Sequence, residues 1–246
     1  METGVAIPAA TLIVVRERAG AAPELLMVER AQGMAFAGGA LVFPGGRIDG
    51  SDRSAASSEI EAGAVAAIRE TLEETAIPVG ISPVPSVELA LQLQGELLAD
   101  APLSERLESH GLSLDLSALT LFARWVPKFH ATRRFDTFFF IARAPGNGWE
   151  PRIVEGECSG ACWMSAEQAL ERDRSGEARL IFPTRRNLER LAQHDDFASM
   201  KADALAHPVD PITPWVEEVD GENFITIPGN IGYPVTREKL DGLWRG

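Results

Sequence analysis

Apolar and polar positions divide the chain into alternating extended and helical stretches. Residues 10–16 are β-branched and apolar and predict a strand. Residues 19–23 read as a turn and 24–30 as the return strand. Leu41-Val42-Phe43 predicts a third, short strand that runs into Pro44-Gly45-Gly46, a turn where backbone can approach a ligand closely. Residues 49–58 are polar, small and turn-rich, and predict a surface loop, with Ser57 or Ser58 placed to cap the next element. That element is a helix. It carries the small-residue run 62–68 and continues through Arg69-Glu70-Thr71-Leu72-Glu73-Glu74-Thr75-Ala76-Ile77.

Residues 78–85 break the pattern. Residues 87–98 predict a helix with leucines at 89, 93, 97 and 98, and 103–108 a shorter one. The pair forms a helical insertion, about residues 84–112, whose expected role is packing. Residues 118–125, 135–142 and 161–164 predict strands. Ser165 and Gln168 form a capping-box pattern at the start of a helix, and 184–191, after Pro183, predicts another. From Pro208 the chain is rich in Pro and Gly, with short apolar pieces at 224–227 and 232–234. A C-terminal extension, about 196–246, is expected to wrap on a core of about 8–195 as part of one domain. There are no internal repeats. Periodicity alone gives mixed α and β.

A chain of 246 residues, 45% hydrophobic, can bury roughly 70–75% of its unfolded surface without disulfide staples. The net charge of −13 argues against a nucleic-acid groove, which needs Lys and Arg on phosphates. It leaves room for a small nucleotide held through a metal. Two cysteines, Cys158 and Cys162, and four histidines make no zinc set, and the cysteines read as buried thiols. The N-terminus lacks a basic leader, and no run of 18 apolar residues exists, so a soluble, cytoplasmic protein with no membrane partner is expected.

The candidate chemistry lies in the helix at 69–77. Residues three and four apart share a helical face, so Glu70, Glu73 and Glu74 project together. Three like charges about 4–6 Å apart repel by several kcal/mol at an effective dielectric near ~20. A solvated acidic face is the ordinary reading of such a pattern. The Pro-Gly-Gly turn just before the helix favours a divalent cation instead, and carboxylate oxygens suit Mg²⁺ or Mn²⁺.

Residues 43–77 resemble the Nudix box of the Nudix hydrolase family: glycine, five residues, glutamate, seven residues, Arg-Glu, a bulky residue, any residue, Glu-Glu, any residue, glycine and a bulky residue. Arg69, Glu70, Glu73, Glu74 and Ile77 fall on it, and seven residues separate Glu61 from Arg69. Fourteen residues instead of five separate Gly46 from Glu61, so nine are inserted. Ala76 replaces the second glycine and Thr71 a bulky residue. The resemblance implies an α/β/α sandwich with a mixed sheet. It also implies a Mg²⁺- or Mn²⁺-dependent hydrolase that cuts a phosphoanhydride in a nucleoside diphosphate linked to another moiety. The implied metal set is Glu70, Glu73, Glu74 and the Gly46 carbonyl. Glu73 or Glu157 is the expected base, and Arg69 is expected to orient the glutamates. Glu157 stands six residues before Trp163, where some members place a loop glutamate over the metal; Glu155 is its competitor.

Arg133-Arg134-Phe135-Asp136 after Arg124-Trp125 is similar to the family branch that includes the coenzyme A diphosphatases, which also carry an insertion in the box. Residues 25–30, Met34, Phe36 and the run from Val42 to Gly46 agree loosely with that branch's coenzyme A signature. This implies coenzyme A or acyl-coenzyme A as substrate, with Arg30, Phe43, Arg133 and Arg134 contacting it. From the residues alone, Arg133 and Arg134 are paired cations suited to phosphate, and Phe135 to Phe140 read as core. ADP-ribose, NADH, a dinucleotide, a capped RNA end, or a non-catalytic nucleotide-sensing role are the alternatives. Retention of all three acids favours catalysis. A homodimer is compatible with this reading.

Overall fold

The computed structural model describes residues 6–33, 37–127, 134–146, 148–154, 156 and 158–240. Met34, Phe36, Arg133, Glu155 and Glu157 lie outside the described residues. In chain order come β1 (Ile7–Arg16), β2 (Glu24–Arg30), β3 (Leu41–Val42), β4 (Gly45–Arg47), α1 (Gly50–Ser54) and α2 (Glu59–Thr75). The middle of the chain holds β5 (Ile81–Ser82), α3 (Val87–Leu98), α4 (Leu103–Ser109), β6 (Ser113–Leu114), β7 (Thr120–Trp125), β8 (Phe135–Arg143) and β9 (Cys158–Ser165). The C-terminal third holds α5 (Ala166–Arg174), α6 (Phe182–Leu191), α7 (Phe197–Ala206), β10 (Pro211–Ile212), β11 (Trp215–Val219), β12 (Glu222–Thr226) and β13 (Arg237–Lys239).

Strand β1 is central. It runs parallel to β8 and antiparallel to β2 and β4, in a mixed sheet ordered β10-β7-β8-β1-β2-β3, with β9 also on β2. Both its faces are covered, so its apolar run is continuous and not alternating. Ala10, Leu12 and Val14 face one buried cluster, and Ile13 and Val15 the other. On the first face lies α2. Its small residues Ala62, Ala64, Ala66 and Ala67 let the helix sit close to the sheet. A Cβ on Gly63 would lie 3.1 Å from the Phe138 ring. The outer side of α2, through Val65, Ile68 and Leu72, is capped by Leu93 and Leu97 of α3 and Leu103 and Leu107 of α4. Leu98, expected to pack, is 51% exposed. Leu98 lies about 100° around the helix from the buried Leu97, on the solvent side of α3.

The opposite face carries α6, α7 and the C-terminal arm. Residues 192–207 gave no helical expectation, yet α7 forms there, capped by Asp196, whose side chain accepts from Ser199 N. Only Phe197, Met200 and Ala204 of α7 are buried, a stripe too thin to announce itself. The arm forms a three-stranded antiparallel sheet, β11-β12-β13, and inserts Ile225, Ile227 and Tyr233 into the same cluster as Trp125, Leu188 and Leu191. Tyr233 Oη donates to Asn187 Oδ1 at 2.7 Å, and Trp125 Nε1 reaches both Tyr233 Oη (3.2 Å) and Asn187 Oδ1 (3.3 Å). Arg190, almost fully buried, donates through Nε to Asp203 of α7 at 2.7 Å and through Nη1 to the Phe122 carbonyl at 3.2 Å. Its guanidinium stacks 4.2 Å from the Phe122 ring centre. A layer of helices therefore covers each face of the sheet.

The polar stretch 49–58 lies mostly at the surface, as its composition predicts, but it is not loop throughout. It opens with α1, one helical turn with Asp49 at its cap, and Asp52 on that turn is 1% exposed. The small polar residues make a capping box, in which Asp52 Oδ2 accepts the Asp49 N–H at 2.8 Å. Ser58 then caps α2 by accepting from Glu61 N.

Candidate functional site

Two glycines set the floor of the site. Thr11 and Ala10 of β1 pair with Gly45 and Gly46 of β4. A Cβ on Gly45 would sit 2.4 Å from the Ala10 carbonyl oxygen and 2.7 Å from Thr11 Cα, so only glycine permits this pairing. A Cβ on Gly46 would sit 2.2 Å from Glu70 Oε1. The Glu70 carboxylate thus lies directly on the Gly46 backbone. Replacing Gly46 by Ala should displace that carboxylate at little cost to the fold, because a glutamate tip can move. Turnover is expected to fall about 10–100-fold with the thermal melt nearly unchanged. Gly45→Ala, which pushes backbone on backbone, should instead lower the melt, by about 1–3 kcal/mol of stability. Steady-state kinetics and thermal melts of the two variants separate these effects.

The last two turns of α2 bring the acids to this floor. Gly45 N–H donates to Glu74 Oε2 at 3.1 Å. Burial pushes the Glu74 carboxyl up to about 8, and the Glu70 charge adds to the rise. The Gly45 hydrogen bond, the Arg30 charge and a Cys158 hydrogen bond act the other way. Burial also raises the Glu73 carboxyl, against the charge and hydrogen bond of Arg69. Arg69 is itself buried, which alone would lower its pKa. The hydrogen bond to Asp52 and the charges of Glu70, Asp52 and Glu73 more than reverse this. Arg69 Nη1 donates to Glu70 Oε1 and to Glu73 Oε2, both at 3.0 Å. The helix ends at Ala76, whose φ of +57° is the left-handed conformation that glycine adopts without strain.

Among the described residues no three ligating side chains converge tightly enough to enclose an ion. Glu70 and Glu73 are drawn to Arg69, and Glu74 to the Gly45 N–H. The donor set nevertheless fits a divalent cation. It is all oxygen, the Glu70 carboxylate already lies on the Gly46 backbone, and Glu74, held by the Gly45 N–H, is buried beside the Glu70 charge.

Other expected positions fall out differently. Arg30 ends β2 opposite Cys158 of β9, and its charge acts on Glu74, so it belongs to this neighbourhood. Arg134 immediately precedes β8, and its carbonyl accepts the Ile7 N–H at 2.7 Å. Ile7 lies three residues before Ala10 on β1, so Arg134 stands on the order of 10 Å along the sheet from the glycines. Phe43, expected at the substrate, is 2% exposed and packs with Met27, Leu41 and Ile13 on the opposite face of the sheet from α2. The pleat turns its ring into the core. Asp136 does not hold Arg134; it makes a two-point pair with Arg124, Nε to Oδ1 at 2.8 Å and Nη2 to Oδ2 at 2.7 Å. Phe138, Phe139 and Phe140 are core, as their pattern predicts. Both cysteines are free, Cys158 buried and Cys162 partly so.

Three residues at the site were not foreseen. Gln94 of α3, 3% exposed, donates to the Glu73 carbonyl at 2.9 Å and the Arg152 carbonyl at 2.8 Å, tying the helical insertion to the end of α2. Cys158 touches Glu74. Asp52 grips Arg69 from behind, Oδ1 accepting Nε at 3.0 Å and Oδ2 accepting Nη2 at 2.9 Å. Asp52 also corrects the register of the box. Glu61, read as the box glutamate, lies in the first turn of α2 and accepts hydrogen bonds from the Ser57 amide and hydroxyl, away from Arg69. Five residues separate Gly46 from Asp52, the spacing the box asks for. The nine extra residues therefore fall between Asp52 and Arg69, where they form the end of α1, its connection and the first turn of α2.

A mixed sheet between helical layers, with an acid-bearing helix set on a glycine turn, places the molecule among α/β/α sandwich proteins. The NUDIX domain model matches residues 6–183, so the chain belongs to the NUDIX family and is a Nudix-type hydrolase. A crystal structure of a NUDIX hydrolase from Alicyclobacillus acidocaldarius is 32% identical, aligned over 80% of this chain and 96% of that one, with a TM-score of 0.72. The NUDIX domain of Shewanella oneidensis NrtR, solved with ADP ribose, is 15% identical over 77% of this chain and 88% of that one, TM-score 0.46. RenU, a Nudix hydrolase from M. smegmatis, is 16% identical over 76% and 84%, TM-score 0.43. No curated protein matches the chain. Hydrolases of this family generally use divalent metal ions. No helix among the described residues is long and apolar enough to cross a membrane.

Proposed function

We propose that the protein hydrolyses a phosphoanhydride in a nucleoside diphosphate linked to another moiety, with coenzyme A or acyl-coenzyme A as that substrate. The observation that carries the reading is the meeting of Glu70 and Glu74 with the Gly45-Gly46 backbone, with Glu73 joined to Glu70 through Arg69. These three acids and the Gly46 carbonyl would hold Mg²⁺, or Mn²⁺ in its place. The bound ion would screen the diphosphate and stabilise charge on the leaving phosphate. Glu73, whose carboxyl is raised by burial, is suited to take a proton from the attacking water. Glu157 is the second candidate for that step. Arg30, beside Glu74, and Arg133 with Arg134, ahead of β8, are the cations offered to substrate phosphates.

The coenzyme A assignment is supported by the insertion in the box and by the run from Leu25 to Gly46, which ends at the acids. Purified protein with Mg²⁺, incubated with coenzyme A, acyl-coenzyme A, ADP-ribose, NADH, a dinucleotide and a capped RNA, tests it. Mass analysis is expected to show 3′,5′-ADP and the phosphopantetheine half from coenzyme A. Cleavage of ADP-ribose or another member with coenzyme A untouched would overturn the substrate and keep the chemistry.

A further inference from the structure

An α-helix leaves the carbonyls of its last turn without partners inside the helix, and that turn frays first. In α2 the last turn carries Glu73 and Glu74. The Leu72 carbonyl accepts the Ala76 N–H at 2.9 Å, and the Thr75 carbonyl accepts the Arg152 N–H at 2.8 Å. The Glu73 carbonyl accepts from Gln94 Nε2 at 2.9 Å, and the same nitrogen donates to the Arg152 carbonyl at 2.8 Å. Two carbonyls on one N–H₂ group leave the amide a single orientation. Arg152 belongs to a segment that is also held at its other end. There the Trp149 carbonyl accepts from Trp163 Nε1 at 3.0 Å and Arg16 Nη1 at 3.3 Å, and Glu150 pairs with Arg16 at 2.7 Å. The almost fully buried Gln94 therefore joins α3 of the helical insertion to the end of α2 and to a segment anchored on β1 and β9.

Ala76 gives this outside closure its importance. At a φ of +57° a residue with a Cβ is strained where glycine is free, so the helix end is weaker than one closed by glycine. We propose that Gln94 is a positioning residue for the hydrolase reaction: by tying the Glu73 carbonyl to Arg152 it closes the end of α2 and keeps the carboxylates of Glu73 and Glu74 where a divalent cation meets them. The inference rests on the proposed metal-dependent hydrolysis at this site. Methionine at position 94 fills a similar volume but donates nothing, and both carbonyls lose their side-chain donor. The last turn of α2 then opens part of the time, and the two acids move with it. A displacement of about 1 Å in a reacting group is enough to cost up to about 100-fold in rate.

The test uses the full-length protein, Gln94→Met, and Gln94→Met combined with Ala76→Gly. Mn²⁺ binding to the substrate-free protein, followed by the electron paramagnetic resonance of free Mn²⁺, is read beside kcat and KM at a temperature below the melt of every variant. Hydrogen exchange is read at the Ala76 and Ile77 amides, which bond to the Leu72 carbonyl and Thr75 Oγ1. Gln94→Met is expected to weaken Mn²⁺ binding and lower kcat, each about 10–100-fold, with KM for the nucleotide little changed and faster exchange at both amides. Adding Ala76→Gly, which closes the helix end without strain, should recover part of the Mn²⁺ affinity and of kcat. Faster exchange with parental Mn²⁺ affinity and kcat would make Gln94 a packing residue and overturn the inference. If Gln94→Met does not fold, the shorter amide of Gln94→Asn, which cannot span both carbonyls, carries the same measurements, and parental values there overturn it as well. A wild-type protein that binds no Mn²⁺ and cleaves none of the panel removes the hydrolase reading and the inference together. Wild-type turnover with an unaffected Gln94→Met removes the inference alone.

Discussion

Glu73→Gln is expected to lower kcat by about 10²–10⁴-fold while leaving the thermal melt within a few degrees of the parent. The reason lies in what each state of the protein asks of Glu73. In the fold its carboxylate is one of two acceptors on Arg69 Nη1, at 3.0 Å, and an amide oxygen can accept that same hydrogen bond. Its backbone carbonyl stays bonded to Gln94. Little stability depends on the charge, since burial already disfavours it. The reaction asks for more: a negative oxygen for the cation and a base for the water, and glutamine supplies neither. Single-turnover rates at saturating Mg²⁺, beside a melt monitored by circular dichroism, read both quantities. A variant that keeps more than a tenth of the parent rate would exclude Glu73 as the base and leave Glu157 as the candidate.

The largest effect on stability is expected at Arg190→Ala, on the other face of the sheet. Removing this buried cation leaves Asp203 without its 2.7 Å partner and the Phe122 carbonyl without a donor. It also opens space between the rings of Phe122 and Tyr233, on which the guanidinium lies. His207 and His194, 3.2 and 3.6 Å from Asp203, are the remaining groups near that carboxylate. Breaking one side of a buried pair costs about 3–5 kcal/mol. For a chain of this size that is a fall in Tm of roughly 10 °C or more. Activity per folded molecule should not change, because no atom of this network touches α2. Urea titration and a melt check the first statement, and kcat below the transition checks the second. An Arg190→Ala protein as stable as the parent would mean that α7 and the C-terminal arm are held by apolar contacts alone.

The sequence made the acid cluster legible because three glutamates at helical spacing follow a Pro-Gly-Gly turn, and no residue is inserted between Arg69 and Ile77, although Thr71 and Ala76 depart from the pattern. The turn itself was legible for a related reason: at Gly45 the backbone lies on Ala10 and Thr11 and tolerates no Cβ. The insertion was not legible. Two acids each satisfied half of the expected spacing, Asp52 counted from Gly46 and Glu61 counted from Arg69. Spacing alone cannot say on which side of an acid nine residues were added; the burial of Asp52 against Arg69 decides it. Phe43 failed for a different reason. Beside a glycine turn an aromatic residue can serve a ligand or the core, and one step of the pleat chooses between them. The helix at 197–206 was hidden because three modest apolar residues are enough to bury it once Asp196 caps it.

The packing of Tyr233 bears on where this fold can be cut. The stretch that matches the family ends at residue 183. The helical turn with Arg190 and the loop with Tyr233 lie beyond that point, yet they form the lid under which Trp125 is sealed. A fragment trimmed to the family boundary would keep every carboxylate of the acid cluster and lose the wall behind its sheet. For this chain, the smallest piece that bears the chemistry and the smallest piece that stands up by itself are different lengths.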